Sequence, residues 1–428
     1  MVGANIRMRL VPTVGTLSGM KKPPLKVMIV GGGVAALEAL IALRELAEER
    51  VQLELVTPQP EFAYRPLAVA EPFGLAEPRR YDLVRIAADH GAALHLAELV
   101  AVDADAHAIQ TRDGRSLGYD ILLLAVGARA KVSIPGSVTV QGPGYTSRFR
   151  TVLRELEERR IRRVVFAVPS GTSWPLPLYE LALMTARRVA ERGLRKVELS
   201  VVTPESEPLE LFGPAASTAL RELLHERGVE LHTAHHPAAL REGELTLVPA
   251  GALAAERVVS LPRLQGPEIP GLRHDSEGFI PVDLHGLVQG EDDVYAAGDA
   301  TNCPIKQGGV AAQQADAVAE AIAARAGADV DPKEFRPVLR GLLLTGSTPR
   351  YMRAEASGGR GGESELSEHA LWWPPSKIAG RWLAPYLALH HDELEGAPPG
   401  LPVEVSVDSP QFRRLAVIVP RGGPDTSP

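Results

Sequence analysis

Cysteine is the scarcest chemically reactive residue in this chain of 428 residues, which contains only Cys303. One cysteine cannot form a disulfide within the chain, a cysteine-only zinc site or an intramolecular pair of redox thiols. Any redox function of this protein must therefore proceed without an internal dithiol.

The chain also lacks a basic tract and a long apolar run. Its formal net charge is −7, which argues against nucleic acid as the main partner because phosphate binding needs a concentrated positive surface. No stretch reaches the apolar length of a membrane-spanning helix, and the first residues lack the apolar core of a signal peptide. We therefore expect a cytoplasmic protein. Residues 1–25 are expected to be a disordered extension, with a start at Met20 as the alternative.

A glycine turn after a buried strand organises the rest of the chain. Residues 27–30 form a continuous apolar run, as in a parallel strand that is covered on both faces. Gly31 and Gly33 allow a tight turn and a close backbone approach to a pyrophosphate, and Ala36 replaces the third glycine at the helix–strand contact. Residues 51–56 complete a βαβ unit, so the pattern predicts a dinucleotide site.

The second strand of this unit ends at Thr57, where an acidic ribose ligand is usual. A hydroxyl can still hydrogen-bond a ribose, although less strongly than a carboxylate. The loop at residues 58–67 follows and carries prolines, two aromatic residues and an arginine. Ligands of doubly wound folds bind where such loops emerge, so this loop is either part of the ligand site or a plain surface connection.

A second βαβ pattern begins at residue 163. It contains a strand at 163–168, a helix at 178–191 and a strand at 196–202. The turn at residues 169–177 has one glycine, Gly171, and three prolines, which donate no backbone N–H. We interpret this unit as a second nucleotide-binding scaffold whose phosphate cradle has been rebuilt.

Later in the chain, polar residues follow an apolar strand. The predicted strand at residues 293–297 is followed by Gly298-Asp299. This places a carboxylate where it can hydrogen-bond a ribityl or ribose hydroxyl. An alanine-rich helix predicted at 310–324 presents its N-terminus to a possible anionic group. The histidines between residues 232 and 236 lack a third ligand at a matched spacing, so no metal site is predicted.

The composition changes beyond residue 331. Residues 371–388 contain three of the four tryptophans, interleaved with basic residues. Such a segment can pack on the core, cover a cofactor site, or contact a membrane interface through Trp372, Trp373 and Trp382. The sequence leaves these three alternatives open.

The order of these motifs resembles the pyridine nucleotide–disulfide oxidoreductase superfamily, in particular its type II NADH dehydrogenase and sulfide:quinone reductase branch. The resemblance covers residues 26–324 and implies an α/β fold with two Rossmann-like, doubly wound dinucleotide-binding domains, a C-terminal extension and a possible homodimer. The implied domains are residues 26–150 with 275–330 for FAD, 151–274 with a degenerate NAD(P) site, and 331–428 as the C-terminal region.

The resemblance also implies which residues bind the flavin. Ala125-Val-Gly127 matches a short Ala-Thr-Gly-type motif near the cofactor, with Val126 as a departure. Lys306 would lie beside the flavin pyrimidine, where a cation stabilises the anionic reduced flavin. The implied FAD contacts are Gly31, Gly33, Ala36, Thr57, Arg65, Pro66, Ala125, Gly127, Gly298, Asp299 and Gln307.

Two departures from the family pattern shape the expected function. The second turn lacks the family's glycines, and Gly171 and Glu180 are the candidates for a donor site, Glu180 matching a Val-Glu-Leu-Ala signature. Cys303 alone cannot hold a disulfide or persulfide; a catalytic role would be limited to a flavin adduct or a mixed disulfide.

We therefore expect an FAD-dependent oxidoreductase that passes electrons from a reduced donor, NAD(P)H or another, through the flavin to an acceptor such as a quinone. The alternative is a flavin-binding sensor or assembly protein without turnover. The two hypotheses differ in whether any acceptor sustains turnover.

Overall fold

The computed structural model describes residues 23–390, apart from residues 78, 141, 143, 250 and 356–363. The extension expected at residues 1–25 therefore lies almost wholly outside the described residues, as does the chain after residue 390.

A parallel sheet of five strands forms the first unit. Numbered along the chain and given in spatial order, its strands are β20 (Val294–Ala296), β9 (Ile121–Leu124), β1 (Leu25–Val30), β2 (Val51–Thr57) and β5 (Ala93–Leu96). Met28 and Ile29 are both fully buried and belong to separate apolar clusters, because both faces of the sheet are covered. On one face lie two helices that pack on each other, α1 (Val34–Ala47) and α6 (Gly308–Arg325).

The second unit repeats this architecture. Its parallel sheet contains, in spatial order, β11 (Val138–Thr139), β18 (Arg257–Ser260), β12 (Arg163–Ala167), β13 (Glu198–Val202) and β14 (Val229–His232). The helices of this unit are α3 (Tyr145–Glu157), α4 (Leu176–Glu191) and α5 (Pro214–Glu226). The two parallel sheets with their helices confirm the expected α/β, doubly wound fold.

The division between the units differs from the one expected at residues 150/151. That position falls inside α3, whose apolar residues, such as Phe149 and Val152, pack in the core of the second unit. The two chain crossings between the units pair as antiparallel strands, β10 (Arg129–Lys131) and β19 (Arg263–Gln265). We therefore propose that the second domain begins after β10 and ends before β19.

The remaining elements form small sheets and two short helices. The predicted loop at 58–67 is partly wrong, because a strand and a 3₁₀ turn at Arg65–Val69 occupy most of it. The small sheets are β3 (Glu61–Tyr64) with β4 (Arg79–Asp82); β6 (Leu99–Asp103), β7 (Ala108–Thr111) and β8 (Ser116–Gly118); β15 (His236–Arg241), β16 (Glu244–Val248) and β17 (Ala252–Ala254); and β21 (Val338–Leu343), β22 (Arg350–Glu355) and β23 (Ser364–Ser367). The short helices are α2 (Leu83–Asp89) and α7 (Leu383–Leu389).

The C-terminal region packs on both units. Strands β21 and β22 add apolar side chains to the core of the second unit, whereas Ile378, Trp382 and Leu383 join the core of the first. Trp382 is 6% exposed and lies in the apolar core, which for this residue favours the first of the three alternatives, packing on the core. Trp372 and Trp373 are half-buried. Within the described part of the chain, no helix is long and apolar enough to span a bilayer.

Candidate functional site

A cleft of about 660 Å³ lies at the carboxyl end of the first sheet. This is the edge at which doubly wound sheets bind their ligands. Nine of the eleven residues expected to contact FAD line it: Gly31, Gly33, Thr57, Arg65, Pro66, Ala125, Gly127, Gly298 and Asp299.

The glycine turn forms one wall of the cleft, and its two outer glycines have different reasons to be glycine. Gly31 has φ +141°, and a Cβ there would overlap the carbonyl oxygen of Ala125 on the neighbouring strand. Gly33 is extended, and no described atom lies within 4 Å of a Cβ built on it. No described side chain caps α1, so its first N–H groups remain available to an anion in the cleft.

The opposite wall is the turn after β20. Gly298 has φ +77° and donates its N–H to Oε1 of Gln314 over 2.7 Å. Asp299 lines the cleft, and burial raises the pKa of its carboxyl group while Lys306 opposes the rise. On the first wall, Thr57 is buried and its hydroxyl lies 3.4 Å from the N–H of Gln59. The cleft thus offers hydroxyl and carboxylate oxygens to a polyhydroxylated ligand.

Lys306 lies outside the cleft lining, which corrects the expected contact with a flavin. Its ammonium donates to the carbonyl oxygens of Asp299 (3.2 Å) and Thr301, and lies 3.7 Å from the ring centroid of Phe279. Burial lowers the pKa of Lys306, and Asp299 opposes that change. The lysine therefore stabilises the turn that presents Asp299.

Two more of the expected contacts are buried supports of the cleft. Gln307 accepts a hydrogen bond from the N–H of Val310 over 2.8 Å and caps α6, which places it outside the cleft lining. Ala36 is fully buried inside α1, where its small side chain serves the expected helix–strand contact. Both residues position backbone elements that border the cleft.

Cys303 borders a different pocket, of about 230 Å³, together with Asn302 and Phe335. Burial raises the pKa of its thiol, and the Sγ atom lies 3.8 Å from the carbonyl oxygen of Ile305. A protonated thiol away from the cleft is a poor nucleophile. The structure therefore gives no support to the expected catalytic role of Cys303.

The turn after β12 is a poor phosphate cradle. Gly171 is exposed with φ +80°, but Pro175 and Pro177 supply no N–H in the first turn of α4. The N–H of Leu178 already donates to the carbonyl oxygen of Pro175 over 2.9 Å. Trp174 packs against the ring of Phe212. The turn therefore offers fewer free backbone donors to a pyrophosphate than a glycine-rich turn does.

Glu205 is a candidate ligand that the sequence argument missed. It follows β13 closely, at the place where a doubly wound fold carries its acidic ribose ligand. Its carboxylate accepts hydrogen bonds from the hydroxyls of Tyr179 (2.6 Å) and Thr203 (2.9 Å), and burial raises its pKa. The sequence signal for Glu205 was an acidic residue shortly after the second strand of the second βαβ unit, β13.

Glu180 is completely buried, which corrects its expected place at an accessible donor site. Its two carboxylate oxygens lie 2.7 and 2.6 Å from the ammonium of Lys377, and it accepts the N–H of Leu344 over 2.7 Å. Burial raises the pKa of Glu180, and Lys377 opposes the rise. Sequence reasoning could not pair these residues, because 197 positions separate them.

A second cavity has a volume of about 840 Å³. Its lining combines apolar side chains with charged ones of both signs and includes Leu67, Met184, Leu344, Glu77, Arg79 and Arg80. The chain links the cavity to the cleft, because Pro66 lines the cleft and the next residue lines the cavity. Likewise, Lys377 precedes the cleft residue Ile378, and its partner Glu180 binds the backbone of Leu344.

Among the described residues, no group of three or more histidine, cysteine, aspartate or glutamate side chains is arranged to hold a metal ion.

Comparison with protein families gives a match over residues 25–317 to the model described as pyridine nucleotide-disulphide oxidoreductase. The chain belongs to this family. The family resemblance inferred from the motif order and the expectation of an FAD-dependent oxidoreductase are both confirmed. Membership implies FAD and nicotinamide nucleotide binding in general terms.

Solved structures of low sequence identity share the fold. The sulfide:quinone oxidoreductase of Aquifex aeolicus has a TM-score of 0.73 and 21% identity, over 80% of this chain and 87% of that one. The ferredoxin reductase of the CYP199A2 system from Rhodopseudomonas palustris has a TM-score of 0.60 and 18% identity, over 78% and 83%. NDH2 from Plasmodium falciparum, in complex with NADH, has a TM-score of 0.54 and 16% identity, over 65% and 64%. Comparison with curated proteins found no match.

Proposed function

We propose that this family member passes electrons through FAD to a small apolar acceptor of the quinone class, without a redox dithiol. The observation that supports the proposal is the second cavity, whose lining residue Leu67 directly follows the cleft residue Pro66. The buried Glu180–Lys377 ion pair connects the linings of the two sites. Glu180 accepts the N–H of the cavity residue Leu344, and Lys377 directly precedes the cleft residue Ile378.

The residues of the cleft fit FAD. Gly31, Gly33 and the N-terminus of α1 would hold the pyrophosphate, and Asp299 would accept a hydrogen bond from a ribityl hydroxyl. Gly33 and Gly127 support this fit, since no described atom lies within 4 Å of a Cβ on either residue and the space in front of them is open. FAD, when bound, accepts and donates electron pairs.

The second cavity suits a ring with polar oxygens. Its volume lies within the roughly 300–1,000 Å³ typical of small-molecule sites. Leu67, Met184 and Leu344 offer apolar contacts. Arg80 forms a 3.1 Å ion pair with Glu61, and a guanidinium has five N–H donors, so Arg79 and Arg80 can donate to carbonyl oxygens beside their own contacts. A quinone combines an apolar ring with two such oxygens, and the name of the Aquifex relative includes this substrate class.

The geometry of the second unit does not favour NAD(P)H as the electron donor to the flavin. The turn at residues 169–177 offers fewer free backbone donors to a nucleotide pyrophosphate than a glycine-rich turn does, although Glu205 stands where a ribose ligand is expected. We therefore expect NADH and NADPH to bleach the flavin band slowly or not at all under anaerobic conditions. Rapid, saturable bleaching by either nucleotide would contradict this part of the proposal.

The acceptor site can be tested by partly filling the cavity. Leu75 lines the cavity and is 56% exposed, so Leu75→Trp can be accommodated. The matched control is Val84→Trp, at a residue that is 54% exposed on α2 and outside both lining sets. The flavin is first reduced without oxygen by light and a sacrificial amine donor such as EDTA, and is then mixed with a soluble quinone or with ferricyanide.

We expect Leu75→Trp to slow reoxidation by the quinone about tenfold or more, and reoxidation by ferricyanide to be unchanged. Val84→Trp should resemble the parent protein with both acceptors. Equal quinone rates in the two variants would refute the assignment of the cavity. A colourless protein that also fails to bind added FAD would refute the whole proposal.

A further inference from the structure

Glu38 is a fully buried acid in the middle of α1, the helix that begins at the glycine turn. Its two carboxylate oxygens accept hydrogen bonds from separate backbone groups, the N–H of Trp382 at 2.7 Å and the N–H of Leu383 at 2.9 Å. Both donors stand at the start of α7. One side chain of the cofactor-binding helix thus holds the C-terminal segment, defined here as residues 377–389.

A second acid lies against the first. Asp316, on α6, interacts with the side chain of Glu38, and its Oδ1 atom is shielded from solvent without a hydrogen-bond partner among the described residues. A shielded carboxylate oxygen without a hydrogen-bond donor is costly, and the second acid beside it opposes the ionisation of both groups. Because each Glu38 oxygen already accepts an N–H, the charge belongs on Glu38 and the proton on Asp316.

The charged groups around Glu38 and Asp316 do not cancel the preference for a protonated Asp316. Arg381 faces Asp316 but is also bound to Glu320 on α6, 3.3 Å away. Arg340, on β21, also interacts with Asp316 and is itself repelled by Arg353. Burial raises the pKa of Glu38 and raises the pKa of Asp316 well above its ordinary value, and Arg381 only opposes the rise at Asp316.

We propose that Glu38 and Asp316 share one proton and act as a positioning pair that fastens the C-terminal segment to the cofactor-binding helix. The fastened segment forms part of the cleft. Ile378 lines it, and its N–H donates to the hydroxyl of Tyr64 over 3.1 Å, while Lys377 supplies the buried partner of Glu180. This role goes beyond the proposed electron transfer, because it concerns how the wall of the site is held.

The pH dependence of the fastening follows from the raised pKa of Asp316. A carboxyl whose pKa is higher in the fastened state keeps its proton there at a pH where the released form has lost it. The fastened state is therefore most favoured at low pH and loses stability as the pH rises from the ordinary carboxyl range to the raised pKa of Asp316. Each unit of difference between the two pKa values changes the release equilibrium tenfold.

The test compares three substitutions in the full chain. Asp316→Asn keeps the shape of a protonated acid and can donate to Glu38, whereas Glu38→Gln places an amide N–H₂ against backbone donors. Glu49→Gln makes the same chemical change at an exposed residue just after α1 and serves as the control. Hydrogen–deuterium exchange of residues 377–389 is measured at one neutral pH for all variants, with α4 as the internal reference.

We expect Glu38→Gln to speed exchange in the C-terminal segment about tenfold or more, with the parent, Asp316→Asn and Glu49→Gln equally protected. The infrared band of a protonated carboxyl should be present in the parent and absent in Asp316→Asn. Unchanged protection in Glu38→Gln would overturn the fastening role. Loss of protection in Asp316→Asn, or no difference in the carboxyl band, would overturn the shared proton.

Discussion

Replacing each outer glycine of the turn by alanine should separate folding from cofactor binding. In Gly31→Ala, φ +141° alone costs roughly 1–3 kcal/mol, and overlap with Ala125 adds to it. We expect the flavin-free protein to lose at least about 2 kcal/mol of unfolding free energy. Gly33 is extended with open space beyond it, but it is the N-cap residue of α1, where alanine is less favourable than glycine, so Gly33→Ala should lower that free energy by only about 1 kcal/mol or less.

Binding of FAD should be affected more strongly than the stability of the fold in Gly33→Ala. The methyl group of Gly33→Ala enters the space assigned to the pyrophosphate, so we expect the dissociation constant to rise at least tenfold, or about 1.4 kcal/mol. Urea unfolding of the flavin-free protein and titration with FAD, followed by flavin fluorescence, measure the two quantities. Gly118→Ala, in an exposed strand residue outside the cleft, is the control. A Gly33→Ala variant that binds FAD as tightly as the parent would refute the placement of the pyrophosphate.

Three further substitutions test the surroundings of the cleft. Lys377→Met should cost about 3–5 kcal/mol of unfolding free energy because it leaves Glu180 buried and unpaired, and adding Glu180→Gln should restore much of that loss in urea unfolding. Cys303→Ala should change the quinone reduction rate less than about twofold, since a role in group transfer would instead cost the roughly hundredfold typical of such residues. Trp382→Ala should cost about 3–5 kcal/mol in thermal or urea unfolding, and Trp372→Ala clearly less, because only the first side chain is buried in the core; equal losses would contradict this packing.

The sequence was most informative where a site is built from neighbouring residues. The turn from Gly31 to Gly33 follows its strand and precedes its helix directly, so strand periodicity and glycine chemistry were enough to place it. Gly298-Asp299 was found for the same reason. In both places the backbone carries the site, and the choice of side chain is restricted by space that a local pattern reveals.

Side-chain directions and long-range pairs were out of reach. The sequence predicted Lys306 beside the flavin pyrimidine, but its ammonium donates to backbone carbonyl oxygens of an irregular loop, where periodicity gives no side-chain direction. The Glu180–Lys377 pair and the second cavity depend on how β21 and the C-terminal segment pack on α4. Aromatic and basic residues interleave in the same way at a membrane surface and over a core, so Trp382 could be assigned only by its burial. The cytoplasmic location and the homodimer stay predictions.

The Glu180–Lys377 pair also has a consequence for the order in which the protein is made. Glu180 enters its apolar surroundings as part of α4, yet its counter-ion is synthesised 197 residues later. At ordinary rates of translation this delay lasts tens of seconds, during which the carboxyl group must stay hydrated or protonated. A message cut short before codon 377 would therefore yield a chain with both its five-stranded parallel sheets but with a permanently uncompensated acid in its interior. We expect such chains to be recognised and degraded by cellular quality control.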